Sequence, residues 1–255
     1  MTSEKLKRKF LFVAFAICAL AARHAWAQGG PPMITDDPGT PGNSRFEINL
    51  AIAFERRPQE TAWDLPALDV NYGVGERIQL TLQTAPVLLK RSGRGPIGGL
   101  GATEAALKWR FLDEKSDGVS ISTFPRIIFN VVQSSVRRGL AEDGTRVQLP
   151  VQVAKKFGIV DLDFEFGPLA STVGRSEWLY GIVGGVDVTK TTELMAEFHG
   201  TARTSFNRDV LAVNFGIRQK LGDRCIFIAS LGRQVRTPDQ DPLAFIGYGG
   251  VQLLY

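Results

Sequence analysis

From Phe46 to Phe54 every second residue is large and apolar (Phe46, Ile48, Leu50, Ile52, Phe54), while Glu47, Asn49, Ala51 and Ala53 fill the other parity. Side chains of a strand alternate between faces, so this segment is predicted to be a strand with one apolar and one polar or small face. The alternation recurs. Ile78, Leu80 and Leu82 interleave with Gln79, Thr81 and Gln83, and Ala105, Leu107, Trp109 and Phe111 with Glu104, Ala106, Lys108 and Arg110. Val160, Leu162, Phe164 and Phe166 interleave with Asp161, Asp163 and Glu165, and Leu194, Ala196 and Phe198 with Glu193, Met195, Glu197 and His199. Weaker segments lie near 63–72, 119–131, 147–157, 177–188, 209–218, 224–232 and 243–255. Together they predict an all-β chain of about twelve strands, each about 9 to 12 residues long, with no helical segment between them.

The connections alternate in length. Short ones fall at Gly73–Gly75, Leu112–Gly118, Gly158, Thr189–Thr191 and Leu221–Asp223; longer polar ones fall at Arg56–Ala62, Val87–Gly98, Gln133–Arg146, Pro168–Ser176, Thr201–Arg208 and Gln234–Pro242. Short–long alternation predicts an up-and-down antiparallel transmembrane β-barrel, with short periplasmic turns, longer external loops and both termini on the periplasmic side.

Ahead of the first strand, residues 28–44 hold four prolines and four glycines, which predicts an irregular lead-in that could partly plug the barrel. Earlier still, Lys5, Lys7, Arg8 and Lys9 precede an apolar run from Phe10 to Ala22, and Ala25-Trp26-Ala27 precedes Gln28. This order predicts a secretory signal peptide over 1–27, since the apolar run is about 13 residues where a membrane helix needs about 20. The expected division is therefore a signal peptide over 1–27, a lead-in over 28–44 and the barrel over 45–255. Removing the leader takes five of the 30 basic residues (Lys5, Lys7, Arg8, Lys9, Arg23) and one of the 26 acidic ones (Glu4), leaving 25 of each. That balance gives no case for nucleic-acid binding. Cys225 is then the one remaining thiol, which excludes an intramolecular disulfide.

Periodicity alone does not separate a soluble barrel from a membrane barrel turned inside out. The export signal, the charged polar parity and the aromatic residues favour the membrane. On the predicted topology Phe46, Tyr72, Trp109, Phe111, Phe157 and Tyr255 fall at periplasmic strand ends, and Phe54, Trp63, Phe129, Phe166, Trp178 and Phe245 at external ends. Two girdles of this kind mark outer-membrane barrels. The last strand, Phe245 to Tyr255, carries Val251, Leu253 and Tyr255 on one parity. It resembles the C-terminal signal that the barrel assembly machinery of bacterial outer membranes recognises.

A narrower resemblance lies in Pro32-Met33-Ile34-Thr35-Asp36-Asp37-Pro38-Gly39-Thr40-Pro41-Gly42, leading into Phe46-Glu47-Ile48-Asn49, and more loosely in Tyr72-Gly73 and Glu76-Arg77-Ile78-Gln79-Leu80. This stretch is similar to the opening of the family named for the MetA pathway of phenol degradation, a family of transporter-like outer-membrane barrels. The resemblance implies passage of a small, aromatic or apolar solute.

The polar parity places Glu47, Asp69, Asn71, Glu104, Lys108, Arg110, Arg126, Asp161, Asp163, Glu165, Glu193, Glu197, His199 and Arg218 toward the lumen. They read either as a charged constriction that selects solutes or as a network that holds the wall together. Asp161, Asp163 and Glu165 could align as a cation site, but such a row more often meets basic partners on the next strand, and no metal or cofactor is expected. Asp36-Asp37 reads as a turn-forming pair first and a ligand pair second. His199 invites a lipid-acting hydrolase, yet its parity points to the lumen and no Gly-x-Ser-x-Gly element accompanies it, so no catalytic residue is expected. A non-conducting structural or interaction barrel is the other alternative. Lys90, Arg91, Arg94, Arg137 and Arg138 in the external loops could meet the phosphates of lipopolysaccharide. The expected partners are thus outer-membrane lipid and lipopolysaccharide, the assembly machinery and a small solute.

Overall fold

A computed structural model describes residues 29–206, 209–238 and 242–255; the predicted signal peptide lies outside the described residues. The chain forms one closed antiparallel sheet. Its long strands are β1 (Phe46–Arg57), β2 (Glu60–Val74), β3 (Ile78–Arg91) and β4 (Ile97–Leu112), followed by a single-turn helix α1 (Glu114–Asp117). Four short strands come next: β5 (Ser120–Thr123), β6 (Arg126–Phe129), then helix α2 (Gln133–Arg138), β7 (Arg146–Gln148) and β8 (Val151–Phe157). The set ends with β9 (Val160–Ser171), β10 (Glu177–Asp187), β11 (Thr192–Arg203), β12 (Asp209–Lys220), β13 (Cys225–Arg236) and β14 (Phe245–Leu254). β5 with β6, and β7 with β8, each make one bent stave, so the barrel has twelve. It closes where β1 meets β14, from Glu47 opposite Leu254 to Arg56 opposite Phe245.

The two bent staves break at Phe124-Pro125 and Leu149-Pro150. Proline has no N–H to give to a ladder, so pairing stops at each and the stave bends. β4 spans the break, pairing with β5 at Trp109–Leu112 and with β6 at Thr103–Ala106. The seam stays sealed because Leu107 N donates to Pro125 O at 3.1 Å, Phe124 N to Pro150 O at 3.1 Å, and Leu149 N to Pro168 O at 3.0 Å.

Outward positions are apolar and open. Ile52, Leu82, Phe198 and Phe215 are all more than half exposed, a surface suited to lipid rather than water. Inward positions are polar and buried, among them Asn49, Gln152, Glu197 and Asn214. Three ring pairs lie at the strand ends, with Phe46 4.7 Å from Tyr72, Trp109 5.7 Å from Phe111, and Phe166 stacked 5.1 Å from Trp178.

Two expectations are corrected. The chain is not free of helix between strands. Asp113 caps α1 by accepting from Lys115 N at 3.0 Å, and Gly118 closes it at φ 75°; Gly139 closes α2 at φ 73°. Both helices are too short to show a periodicity. The first two external connections are also shorter than predicted. β1 and β2 are joined by Pro58-Gln59 alone, with Arg57 opposite Glu60, and β3 runs on to Arg91. Where strands rise beyond the lipid both faces meet water, so the alternation ends while the pairing continues.

Candidate functional site

Residues 29–44 turn back into the barrel, and the polar wall binds them chiefly through their backbone. Glu197 on β11 is fully buried and accepts from Ile34 N at 3.0 Å, from Thr35 N, and from Asn214 Nδ2 of β12 at 2.7 Å. Arg218 on β12 donates to the carbonyls of Gly29 at 2.7 Å and Pro31 at 2.8 Å, with Glu193 of β11 3.6 Å away. Ser230 Oγ on β13 donates to Pro32 O at 2.7 Å. The exit of the lead-in is tied at Ser44, whose N–H donates to Gly73 O at 2.9 Å. A proline- and glycine-rich segment cannot satisfy its own backbone groups with regular structure, so an enclosed one needs such partners.

Asp36 is the charged centre. Its carboxylate receives Lys108 Nζ from β4 at 2.8 Å and Arg126 Nη2 from β6 at 3.2 Å. Arg126 also reaches Glu165 of β9 at 2.8 Å, and Gln152 and Ser122 extend the chain of bonds, with Ser122 Oγ donating to Gln152 Oε1 at 2.6 Å. Both cations rest on the ring of Phe124, Lys108 Nζ at 4.7 Å and Arg126 at 4.4 Å from its centre. Burial opposes ionisation of Asp36, but Lys108 and Arg126 outweigh it and hold the carboxyl below its ordinary range. Asp37 differs: burial, reinforced by the charge of Asp36 and only partly offset by Lys108, pushes its carboxyl up to about 6. The reading of Asp36-Asp37 as a turn pair first is therefore incomplete, since Asp36 is the anchor of a buried ion cluster.

The wall is cut to fit the segment. Met33 packs with Val183 of β10 and Met195 of β11 as a small buried core. A Cβ added at Gly216 would overlap Met33, and one added at Gly181 would overlap Thr35. Gly216→Val is accordingly expected to displace the lead-in while leaving the barrel closed. Limited proteolysis of the folded protein checks this: the variant should lose its N-terminal residues at least tenfold faster than the parent, and equal rates would refute the fit.

The other predicted lumen residues occupy inward positions around this centre. Asn49, Asp69 and Asn71 form a bonded row on β1 and β2, with Asn49 Nδ2 donating to Asp69 Oδ2 at 3.0 Å, and Gln79 and Thr81 of β3 join Asn71. Of the acidic row on β9, Asp161 meets Lys156 at 2.8 Å and Glu165 meets Arg126, while Asp163 Oδ1 is buried without a partner. Arg110 donates to Glu76 O and pairs with Asp113 at the periplasmic end. Glu104 lies inward on β4 opposite Gln83 and Ile128. His199 stands between Gly181 and Ala212 in register.

Two features escaped the sequence. Phe124 is a large apolar side chain on the polar parity, and its position two residues before Arg126 was the available signal. The external half of the lumen is also greasier than the periplasmic half. Leu89, Leu169 and Leu179 are buried there, and Leu140, from the loop after α2, packs where a side chain at Gly99 would otherwise stand. On the periplasmic side a cavity of about 590 Å³ opens between Arg45, Glu47, Glu193, Arg218 and Arg224. Of the external basic residues, Arg91 pairs with Glu60 at 2.6 Å and Arg138 donates to Gly98 O at 2.8 Å, leaving Lys90, Arg94 and Arg137 exposed.

No family model matches the chain, and no characterised protein matches it by sequence. Solved structures do match. The COG4313 outer membrane channel from Pseudomonas putida F1 aligns with a TM-score of 0.70 at 11% identity, covering 86% of this chain and 98% of that one. The NanC porin aligns with a TM-score of 0.59 at 7% identity, covering 82% and 99%, and the KdgM porin with 0.54 at 9%, covering 80% and 98%. At these identities the likeness shows the fold, which is shared with outer-membrane channels and porins.

Proposed function

We propose that this chain is an outer-membrane channel for a small aromatic or apolar solute, held shut or narrowed by its own lead-in. The observation that carries the reading is that residues 29–44, a separate segment, occupy the lumen and are bound there through hydrogen bonds and ion pairs. A filling that is only docked can leave without unfolding the sheet. Leu89, Leu140, Leu169 and Leu179 at the external half support a solute with apolar character, and the Pro32–Gly42 motif supports a place in the MetA-pathway family. The hydrolase alternative has less support: no Gly-x-Ser-x-Gly element accompanies His199, whose register partners are Gly181 and Ala212. On this reading an export signal over 1–27 delivers the chain, the strand ending at Tyr255 addresses the assembly machinery, and Lys90, Arg94 and Arg137 face lipopolysaccharide phosphates.

Single-channel recording in planar bilayers tests it. The parent protein is expected to give rare, small openings, and a chain lacking 29–44 a steady conductance at least several-fold larger. A deletion variant that folds, shown by heat-modifiable gel mobility, yet passes no current would end the channel reading.

A further inference from the structure

Near the external rim the cations fall into two kinds. Arg91 is paired with Glu60 at 2.6 Å and Arg236 with Asp209 at 2.7 Å, whereas Arg56 of β1 and Arg233 of β13 are exposed and stand in no ion pair among the described residues. Strand register brings these two together. Arg56 is the partner of Phe245 on β14, and Gly232 is the partner of Ile246, which sets Arg233 on the other side of Phe245. Both arginines continue the outward parity of their strands, two residues beyond Phe54 and Leu231. Neighbouring strands lie about 4.8 Å apart, so the two side chains start about 10 Å from each other with an exposed ring between them. Through Thr61 of β2 the row reaches Lys90 of β3, a third exposed cation outside any ion pair among the described residues.

The wall directly below this row is apolar. Leu231, Gly247, Phe54, Trp63 and Leu88 make the next row across β13, β14, β1, β2 and β3. The Phe54 ring lies against Gly247, where a Cβ would overlap it, and a Cβ at Gly249, the next outward position of β14, would meet nothing. Gly249 is flanked by Ala229 and Ile52, so β14 forms a shallow trough that runs down the lipid face from the two arginines. We propose that this seam of β13, β14 and β1 binds one lipopolysaccharide molecule of the external leaflet, with its lipid A phosphates on Arg56 and Arg233 and an acyl chain along Gly247 and Gly249. Guanidinium groups bind phosphate bidentately, and an anion at the lipid edge supplies the counter-charge that the wall does not. Cations about 10 Å apart suit a headgroup with more than one phosphate, as in lipid A, better than the single phosphate of a phospholipid.

The inference rests on the outer-membrane reading, with the β1–β2 hairpin external, and not on conduction, so a binding measurement separates its failure from that of the channel. Native mass spectrometry of the folded full-length chain in detergent, titrated with diphosphoryl lipid A, reads it. One lipid per barrel is expected, bound at least fivefold more weakly by Arg56→Ser and by Arg233→Ser. Dephosphorylated lipid A should bind the parent chain at least tenfold more weakly, a comparison that needs no variant to fold. Arg175→Ser removes an exposed charge from the loop between β9 and β10 and should leave the affinity within twofold. No retained lipid A, equal binding of phosphatidylglycerol or of the dephosphorylated lipid, or an equal loss in Arg175→Ser would overturn the assignment.

Discussion

Replacing Glu197 by Ala is expected to open the barrel, raising mean current in planar bilayers at least tenfold over the parent. The carboxylate is fully buried and is the shared acceptor for Ile34 N, Thr35 N and Asn214 Nδ2. A hydrogen bond to a charged group contributes about 1.5–3 kcal/mol, and a buried donor left without an acceptor costs about 1–3 kcal/mol. Losing two such bonds to the lead-in weakens its docking by roughly 3–6 kcal/mol, or about two to four orders of magnitude in the docked-to-free ratio. The β11–β12 ladder runs from Thr192–Gln219 to Ala202–Asp209 through backbone groups, so the sheet survives the change. Unaltered current from a folded variant would show that the lead-in is held elsewhere or does not obstruct the path.

Phe124→Ala should lower the stability of the barrel by about 3–5 kcal/mol, read from the urea midpoint of the reconstituted protein. The ring is 1% exposed and fills the bend between β5 and β6. Truncation leaves a cavity that the two proline-broken staves cannot close, and it removes the surface on which Lys108 and Arg126 rest. Each cation–π contact adds about 0.5–2 kcal/mol. Phe124→Leu keeps most of the volume and should lose less than half as much. A loss below about 1 kcal/mol in the alanine variant would mean that the ion cluster holds the bend without the ring.

Alternation along β1, β9 and β11 is visible in the chain because those strands have lipid on one side and a polar lumen on the other, so Ile52 and Glu197 obey opposite demands. Twelve staves, an all-β architecture and the inward parity of Lys108, Arg126 and Glu165 follow from that period alone. The bends at Pro125 and Pro150 were hidden, because each short half still obeys the parity of the whole. The extent of β1 and β2 past Arg56 was hidden for a different reason: beyond the lipid no face is apolar.

Local order along the chain therefore decides strands, facing and topology, since each depends on neighbours a few residues away and on the solvent either side of the wall. What Asp36, Glu197 and Arg218 are for depends on segments brought together by closure, with Asp36 lying 72 residues from Lys108 and 90 from Arg126. A proline- and glycine-rich lead-in has no period to read, and only the closed barrel supplies partners for its backbone. The coincidence of Gly216 with Met33, of Gly181 with Thr35, and of Phe124 with two cations exists only once twelve staves enclose a common space.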